Sequence, residues 1–234
     1  MNRLYFVRHG EGQDNVAKHF SCRRLDNPLT ERGILQARQT AEYLANKSIN
    51  EVYSSPMKRA AETVQIIAER LRKKVTILEN FREVDVGKLE GKPFSDENWG
   101  LYHHVTSAWF AGNSEVPFPG GENYATMWGR WQDGLVQILA GKANRNILLA
   151  GHAGIFIATL KDLCPDLEVD WLKNAECYNC SITELEVEVL DGMPRGKLIA
   201  WATHSHLSGE ALHLVPGIPP AESLGKSDSP VLDT

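Results

Sequence analysis

The sequence predicts an α/β protein built on a mostly parallel sheet with an antiparallel pair at one edge. Three observations carry that prediction. Leu4-Tyr5-Phe6-Val7 and Ile147-Leu148-Leu149-Ala150 are unbroken apolar runs, as in strands buried on both faces. Between residues 3 and 78, short strand patterns alternate with amphipathic helical ones, the βαβαβ order of a parallel sheet with right-handed crossovers. Both apolar runs end abruptly at a histidine flanked by glycine, Arg8-His9-Gly10 and Gly151-His152-Ala153-Gly154. Ligands of open α/β sheets sit beyond the carboxyl ends of the strands, so two neighbouring strands would bring these imidazoles close together.

The first strand is followed by a polar stretch, Gln13 to Pro28, read as a loop. Thr30 can cap a helix starting at Glu31, and Ile34, Ala37, Ala41 and Leu44 recur on one face of it. Gly33 is a weak point in its first turn. Glu51 to Ser54 reads as a second strand, and Pro56 suits the start of the next helix. That helix carries Ala60, Ala61, Val64, Ile67, Ala68 and Leu71, and it ends among Arg70, Arg72, Lys73 and Lys74, cations that favour a helix C-terminus. Val75 to Leu78 is the third strand.

Phe81 to Gly121 breaks the rhythm. It is rich in aromatics and reads as an excursion, helical around residues 95–111, that caps the sheet edge over about residues 84–122. Tyr124, Met127, Trp128, Trp131, Leu135, Ile138 and Leu139 mark a helix with a core-facing stripe. A short helix, Ile155 to Leu163, follows His152. Ile182–Val189 and Lys197–Thr203 read as strands joined at Asp191-Gly192. The reading gives a single domain over residues 1–215. Pro, Gly, Ser and Asp dominate from Pro216 onward, so residues 216–234 read as a flexible tail.

Bulk properties narrow the function. A net charge of −5 gives no reason to expect nucleic acid or an anionic membrane as partner. No run approaches the ~20 apolar residues of a membrane span. No signal peptide is expected ahead of the first strand, and four cysteines in 234 residues do not make a disulfide scaffold. The expectation is a cytoplasmic, reduced protein.

The residues after the strands suggest a chemistry. Arg8 and His9 follow the first strand, Arg59 lies in the first turn of the helix after the second, Glu83 follows the third, and His152 follows the fourth. Guanidinium forks match phosphate oxygens, and a helix N-terminus adds backbone donors. No Gly-rich Lys-Ser/Thr phosphate loop occurs in the chain. Neutral imidazole is a competent nucleophile near pH 7, since its ordinary pKa is about 6.5, and adjacent guanidinium charge keeps it neutral. A bond from its other ring nitrogen to a backbone carbonyl would fix the tautomer. A carboxyl group such as Glu83 can protonate a leaving alkoxide and then deprotonate a water.

These blocks together resemble the histidine phosphatase superfamily, the phosphoglycerate-mutase-like enzymes, along most of residues 3–207. Arg8-His9-Gly10 with Glu11 and Asn15 stands first, then Asp26, Pro28-Leu29-Thr30-Glu31 and Gly33. Ser54-Ser55-Pro56-Met57-Lys58-Arg59-Ala60 with Thr63 follows, then Arg82-Glu83, Gly87, Glu90-Gly91, Pro119-Gly120-Gly121-Glu122, Gly151-His152 and Asn179-Cys180-Ser181. The resemblance implies a three-layer αβα sandwich. It also implies a phosphomonoester hydrolase with a covalent phosphohistidine on His9 and general acid/base work by Glu83. Arg8, Arg59 and His152 would complete the catalytic set, and Asn15, Ser21, Cys22 and Ala153 would help bind phosphate. No metal and no cofactor are implied.

The chain departs from the family pattern at Gly12, where a Ser or Thr is usual, and at Ser21-Cys22-Arg23-Arg24, which replaces a Gly-containing segment. Arg23 and Arg24 could serve a second anionic group on the substrate or be solvated. His103-His104 could touch substrate or lie at the surface. Cys177 and Cys180 read as packing cysteines, since a zinc site needs a second ligand pair. His204, His206 and His213 lack the partners of a metal tract.

Two alternatives share the residues. One is a 2,3-bisphosphoglycerate-dependent phosphoglycerate mutase, the other a non-catalytic module that binds a phospho-ligand. The pattern Ser-Ser-Pro-x-x-Arg-Ala favours the phosphatase branch. The partner expected is a small phosphorylated metabolite of unread identity, and a homodimer is left open.

Overall fold

The computed structural model describes residues 1–168, 171–172 and 175–218. Strands β1 (Asn2–Arg8), β2 (Glu51–Ser54), β3 (Val75–Ile77), β4 (Asn146–Gly151), β5 (Ile182–Leu190) and β6 (Met193–Thr203) form one sheet in the order β3-β2-β4-β1-β5-β6. The first four are mutually parallel. β5 opposes β1 and, by the hairpin at Asp191-Gly192, β6 completes the edge outside it. The strand that runs against the others is therefore one in from the edge.

Helices α2 (Glu31–Leu44) and α3 (Lys58–Leu71) cover one face, and α5 (Tyr124–Leu139) and α6 (Ala153–Leu163) the other. The central strands explain the unbroken apolar runs. Leu4, Phe6, Ile147 and Leu149 face α5 and α6, while Tyr5, Val7, Leu148 and Ala150 face α2 and α3. Burying each large apolar side chain stabilises by about 1.5–3 kcal/mol, so a strand sealed on both sides has no position free for a polar residue. Helix α4 (Asp96–Phe110) packs Trp99, Tyr102, Val105 and Trp109 into the core on the α5 side, alongside Phe81, Phe118 and Trp131.

Two element boundaries differ from the sequence expectation. The stretch Gln13–Pro28 holds a short helix, α1 (Gln13–Ala17), with no apolar stripe. It is started by the Asn15 side chain, whose Oδ1 accepts from Gly12 N at 2.9 Å. Helix α6 begins at Ala153 rather than Ile155, because its free N–H groups at Gly154 and Ile155 find an acceptor outside the helix, the Glu83 carboxylate. The tail expected from Pro216 starts as packed chain. Pro216 bridges Tyr178, and Gly217 N donates to Cys177 O at 3.0 Å. Residues 219–234 of that expected tail lie outside the described residues.

Candidate active site

Strand register assembles the site. β1 and β4 are neighbours and pair Arg8 with Gly151, so the next residues, His9 and His152, leave the sheet together. Their ring centroids are 5.2 Å apart. The loop beyond His9 is pressed onto the first turn of α2. A Cβ on Gly10 would sit 2.6 Å from Gly33 O, and one on Gly33 only 2.1 Å from Glu11 O. That contact is why a helix tolerates glycine there. From the other side Asn179 Nδ2 donates to His9 O at 3.0 Å and Cys180 N to Arg8 O at 3.0 Å.

His9 Nδ1 lies 2.7 Å from its neighbour's carbonyl, Gly10 O, which assigns the proton to Nδ1 and leaves a lone pair on Nε2. Arg59 Nε donates to that Nε2 at 3.0 Å. Arg59 Nη2 lies 3.2 Å from His152 Nδ1 and donates to Ser21 O at 3.1 Å. Since guanidinium only donates, His152 Nδ1 accepts and its Nε2–H is left for Ser55 Oγ, 2.7 Å away. All four groups are buried. Burial first, then the Arg59 and Arg8 charges, hold His9 well below the ordinary histidine range. Burial and Arg59 do the same to His152. Both imidazoles are neutral near pH 7.

Arg8 Nη1 donates to Cys177 O and to Val215 O, both at 2.7 Å. Its Nε and the Nη1 of Arg59 are buried without a hydrogen-bond partner among the described residues; Arg59 Nη1 is 4.0 Å from Asp14 Oδ2. Burial lowers both guanidinium groups, Arg8 to about 10, and both stay charged near pH 7. Two buried cations with donors to spare suit an anion.

Glu83 sits at the N-terminus of α6. Its Oε1 accepts from Ile155 N at 2.8 Å and Val84 N at 2.9 Å, and its Oε2 from Gly154 N at 3.1 Å. A Cβ on Gly154 would lie 2.8 Å from Oε1, so this position must be glycine for the carboxylate to dock. The segment that carries Glu83 is clamped by Arg130 on α5. Its guanidinium donates to the carbonyls of Asn80, Arg82 and Glu83 and is bidentate to Glu122. Glu122 Oε2 in turn accepts from Asp85 N at 2.9 Å.

Arg8, His9, Asn15, Ser21, Cys22, Arg59, Glu83 and Ala153 line one cleft. His152 does not; it stands behind Arg59 and reaches the cleft through it. The loop after Ser21 turns inward. The N–H groups of Cys22, Arg23, Arg24 and Leu25 all point to Glu90 Oε1, and Arg24 Nε binds Oε2 at 2.9 Å. Burial alone would raise the Glu90 carboxyl, but Arg24 and these backbone donors bring it down to about 2. Arg23 pairs with Asp85 at 3.3 Å. Neither arginine lines the cleft. His103 and His104 lie on α4 outside it, His103 against the Trp99 and Tyr102 rings.

Glu11, part of the first sequence block, is structural here. It accepts from Thr30 Oγ1 and Arg32 Nη1. Cys177 and Cys180 are buried and unbridged. His206 stacks on Tyr43 and bonds Thr40, and burial lowers it to about 4. Among the described residues no group of three or more His, Cys, Asp or Glu could hold a metal ion, and no helix is long and apolar enough to cross a membrane. Sequence reasoning missed the contacts of Ser55 and Asp14 with His152 and Arg59, Arg130 behind Glu83, Val215 against Arg8, and His19, Gly217 and Ile218 at the cleft.

Known proteins share this architecture. The chain is 31% identical over 217 residues to a Proteus mirabilis protein named "Probable phosphoglycerate mutase GpmB", covering 91% of this chain and 98% of that one. It is 28% identical to the "Uncharacterized phosphatase PhoE" of Bacillus subtilis, over 89% and 98% of the two chains. Among solved structures, a phosphoserine phosphatase from Entamoeba histolytica in complex with phosphoserine superposes with a TM-score of 0.71 at 26% identity, over 89% of this chain and 100% of that one. The family model of the histidine phosphatase superfamily (branch 1) matches residues 4–193, and the chain therefore belongs to that superfamily, as an enzyme of the phosphatase type.

Proposed function

We propose that the protein is a phosphomonoester hydrolase that works through a covalent phosphohistidine on His9. The observation that carries this is the His9 ring. Its Nδ1 is committed to Gly10 O, its Nε2 lone pair faces the cleft, and two buried guanidinium groups with spare N–H donors stand beside it. The phosphoryl oxygens take those donors, Arg8 Nε and Arg59 Nη1, and draw Arg59 Nε off the imidazole. Asn15 Oδ1 is already engaged by Gly12 N and Asn179 Nδ2, so its amide N–H groups are left for the same oxygens.

In the first step His9 Nε2 bonds to phosphorus while the P–O bond to the alcohol breaks. The departing oxygen takes a proton from the Glu83 carboxyl. In the second step a water gives a proton to the Glu83 carboxylate as its oxygen bonds to phosphorus. The P–N bond then breaks and frees His9 and inorganic phosphate. Charge spread over the transferring group is stabilised by fixed, buried donors. His152 acts by holding Arg59.

Replacing His9 tests the reading. His9→Ala should lose at least ~10³-fold in turnover, as expected when a nucleophile is removed. Acid-quenched wild type should carry an acid-labile, alkali-stable phosphoryl group that the variant lacks. Retained turnover in the variant would sink the assignment. The mutase alternative needs a bound second phosphate, and among the described residues the cleft offers no third arginine or lysine for one.

A further inference from the structure

The cleft has two unlike halves. The inner half holds His9, Arg8, Arg59 and Glu83. Away from them the lining is dominated by Phe20, Val84, Val86, Phe94, Trp99 and Tyr102, with His19, Ser21 and Cys22 beside these. Four of these are mutually packed aromatics. Ring centroids are 4.7 Å apart for Phe20 and Trp99, 5.0 Å for Phe20 and Phe94, and 5.3 Å for Trp99 and Tyr102. Such a cluster is stiff, so the wall is formed before a ligand arrives. Ile218 also lines the cleft.

Charge is arranged to match. Among the described residues Arg8 and Arg59 are the only arginines or lysines lining the cleft, and both stand beside His9. The nearby Arg23, Arg24, Arg82 and Arg130 are each tied to an acid, namely Asp85, Glu90, Glu79 and Glu122. Away from Arg8 and Arg59, a carboxylate or second phosphate on the substrate would meet mostly aromatic and aliphatic carbon, with His19, Ser21 and Tyr102 as the polar exceptions. Burying an ion there without a partner is costly, whereas a flat apolar group gains by leaving water.

We infer that the substrate is a monoester of an uncharged, flat apolar alcohol, an aryl or arylalkyl phosphate, seated against the Phe20–Trp99 wall. This rests on the hydrolase reading above and adds the class of alcohol. It separates the chain from relatives whose printed names point to phosphorylated acids.

The test is a panel of esters whose leaving alcohols are all alkyl, so that leaving-group acidity does not decide the order. With wild-type enzyme, 2-phenylethyl phosphate should exceed glycerol 1-phosphate in kcat/KM by about 10-fold or more, the discrimination an apolar pocket gives. It should exceed 3-phosphoglycerate and phosphoserine by more. Trp99→Leu should cut the ratio of phenylethyl to glycerol ester at least about 3-fold. If that variant fails to fold, the wild-type order still decides. Equal or better hydrolysis of 3-phosphoglycerate or phosphoserine overturns the inference and leaves the hydrolase reading standing. Release of phosphate from none of the panel, nor from p-nitrophenyl phosphate, removes both.

Discussion

Gly154→Ala adds one methyl group and aims it at the Glu83 carboxylate. The new Cβ would lie 2.8 Å from Oε1 and 3.1 Å from both Cδ and Oε2. Ordinary contact is several tenths of an ångström longer, so the carboxylate must withdraw from the α6 N-terminus. Two of its three backbone bonds, 3.1 Å from Gly154 N and 2.8 Å from Ile155 N, lengthen together. A hydrogen bond to a charged group contributes about 1.5–3 kcal/mol, so weakening one of them misplaces Glu83 by an energy worth about 10- to 100-fold in rate. General acid catalysis as a whole is worth about 10²–10⁴-fold, which bounds the loss. We expect kcat/KM for 2-phenylethyl phosphate to fall about 10- to 100-fold, and for p-nitrophenyl phosphate only a few-fold, because nitrophenolate leaves without a proton. Parallel phosphate-release assays on the two esters, with a thermal melt to show that the variant folds, give the comparison. Equal losses on both esters would show that Glu83 is not the proton donor, and no loss on either would show that the carboxylate does not depend on its dock at the α6 N-terminus.

Two further changes probe the charges. Arg59→Met removes one of the causes that hold His9 down, after burial and ahead of Arg8, so the ring should protonate at higher pH. The acid limb of kcat/KM should move up in pH while the maximum falls about 10²–10³-fold, as for loss of a transition-state donor. A pH–rate profile with an unmoved or lowered acid limb would contradict the assigned neutral nucleophile. Glu90→Gln tests the loop after Ser21. The folded carboxyl sits at about 2 against an ordinary 4.5, so its contribution is complete above 4.5 and is lost as pH falls through about 2. Urea unfolding across that window should lose acid sensitivity in the variant. An unchanged slope would mean the four N–H groups do not depend on that charge.

Much of this was legible in the chain because the signals are local. Apolar runs named the central strands, the 3.6-residue stripe named α2, α3 and α5, and the Arg8-His9 and Gly151-His152 exits pointed to one sheet edge. What escaped was set by partners far along the chain. Glu11 and Glu90 stand in the sequence as motif acids, yet each is spent on holding a loop. Nothing in Arg23-Arg24 says that their own backbone N–H groups turn to Glu90. Arg130 lies on a helix whose stripe gives no sign of Glu83, about 47 residues earlier. The early start of α6 depends on that same carboxylate, which no helix-start pattern encodes. That His152 leaves its strand beside His9 was readable, but not its place behind Arg59, because that depends on Ser55 and on which ring nitrogen keeps its proton.

The tie between Arg8 and Val215 makes the protein's late chain part of its chemistry. A guanidinium at the exit of the first strand takes one of its acceptors from a carbonyl 207 residues away. Cleavage between Leu212 and Val215 would therefore take an acceptor from Arg8 and should be read out in the cleft as a change in anion affinity.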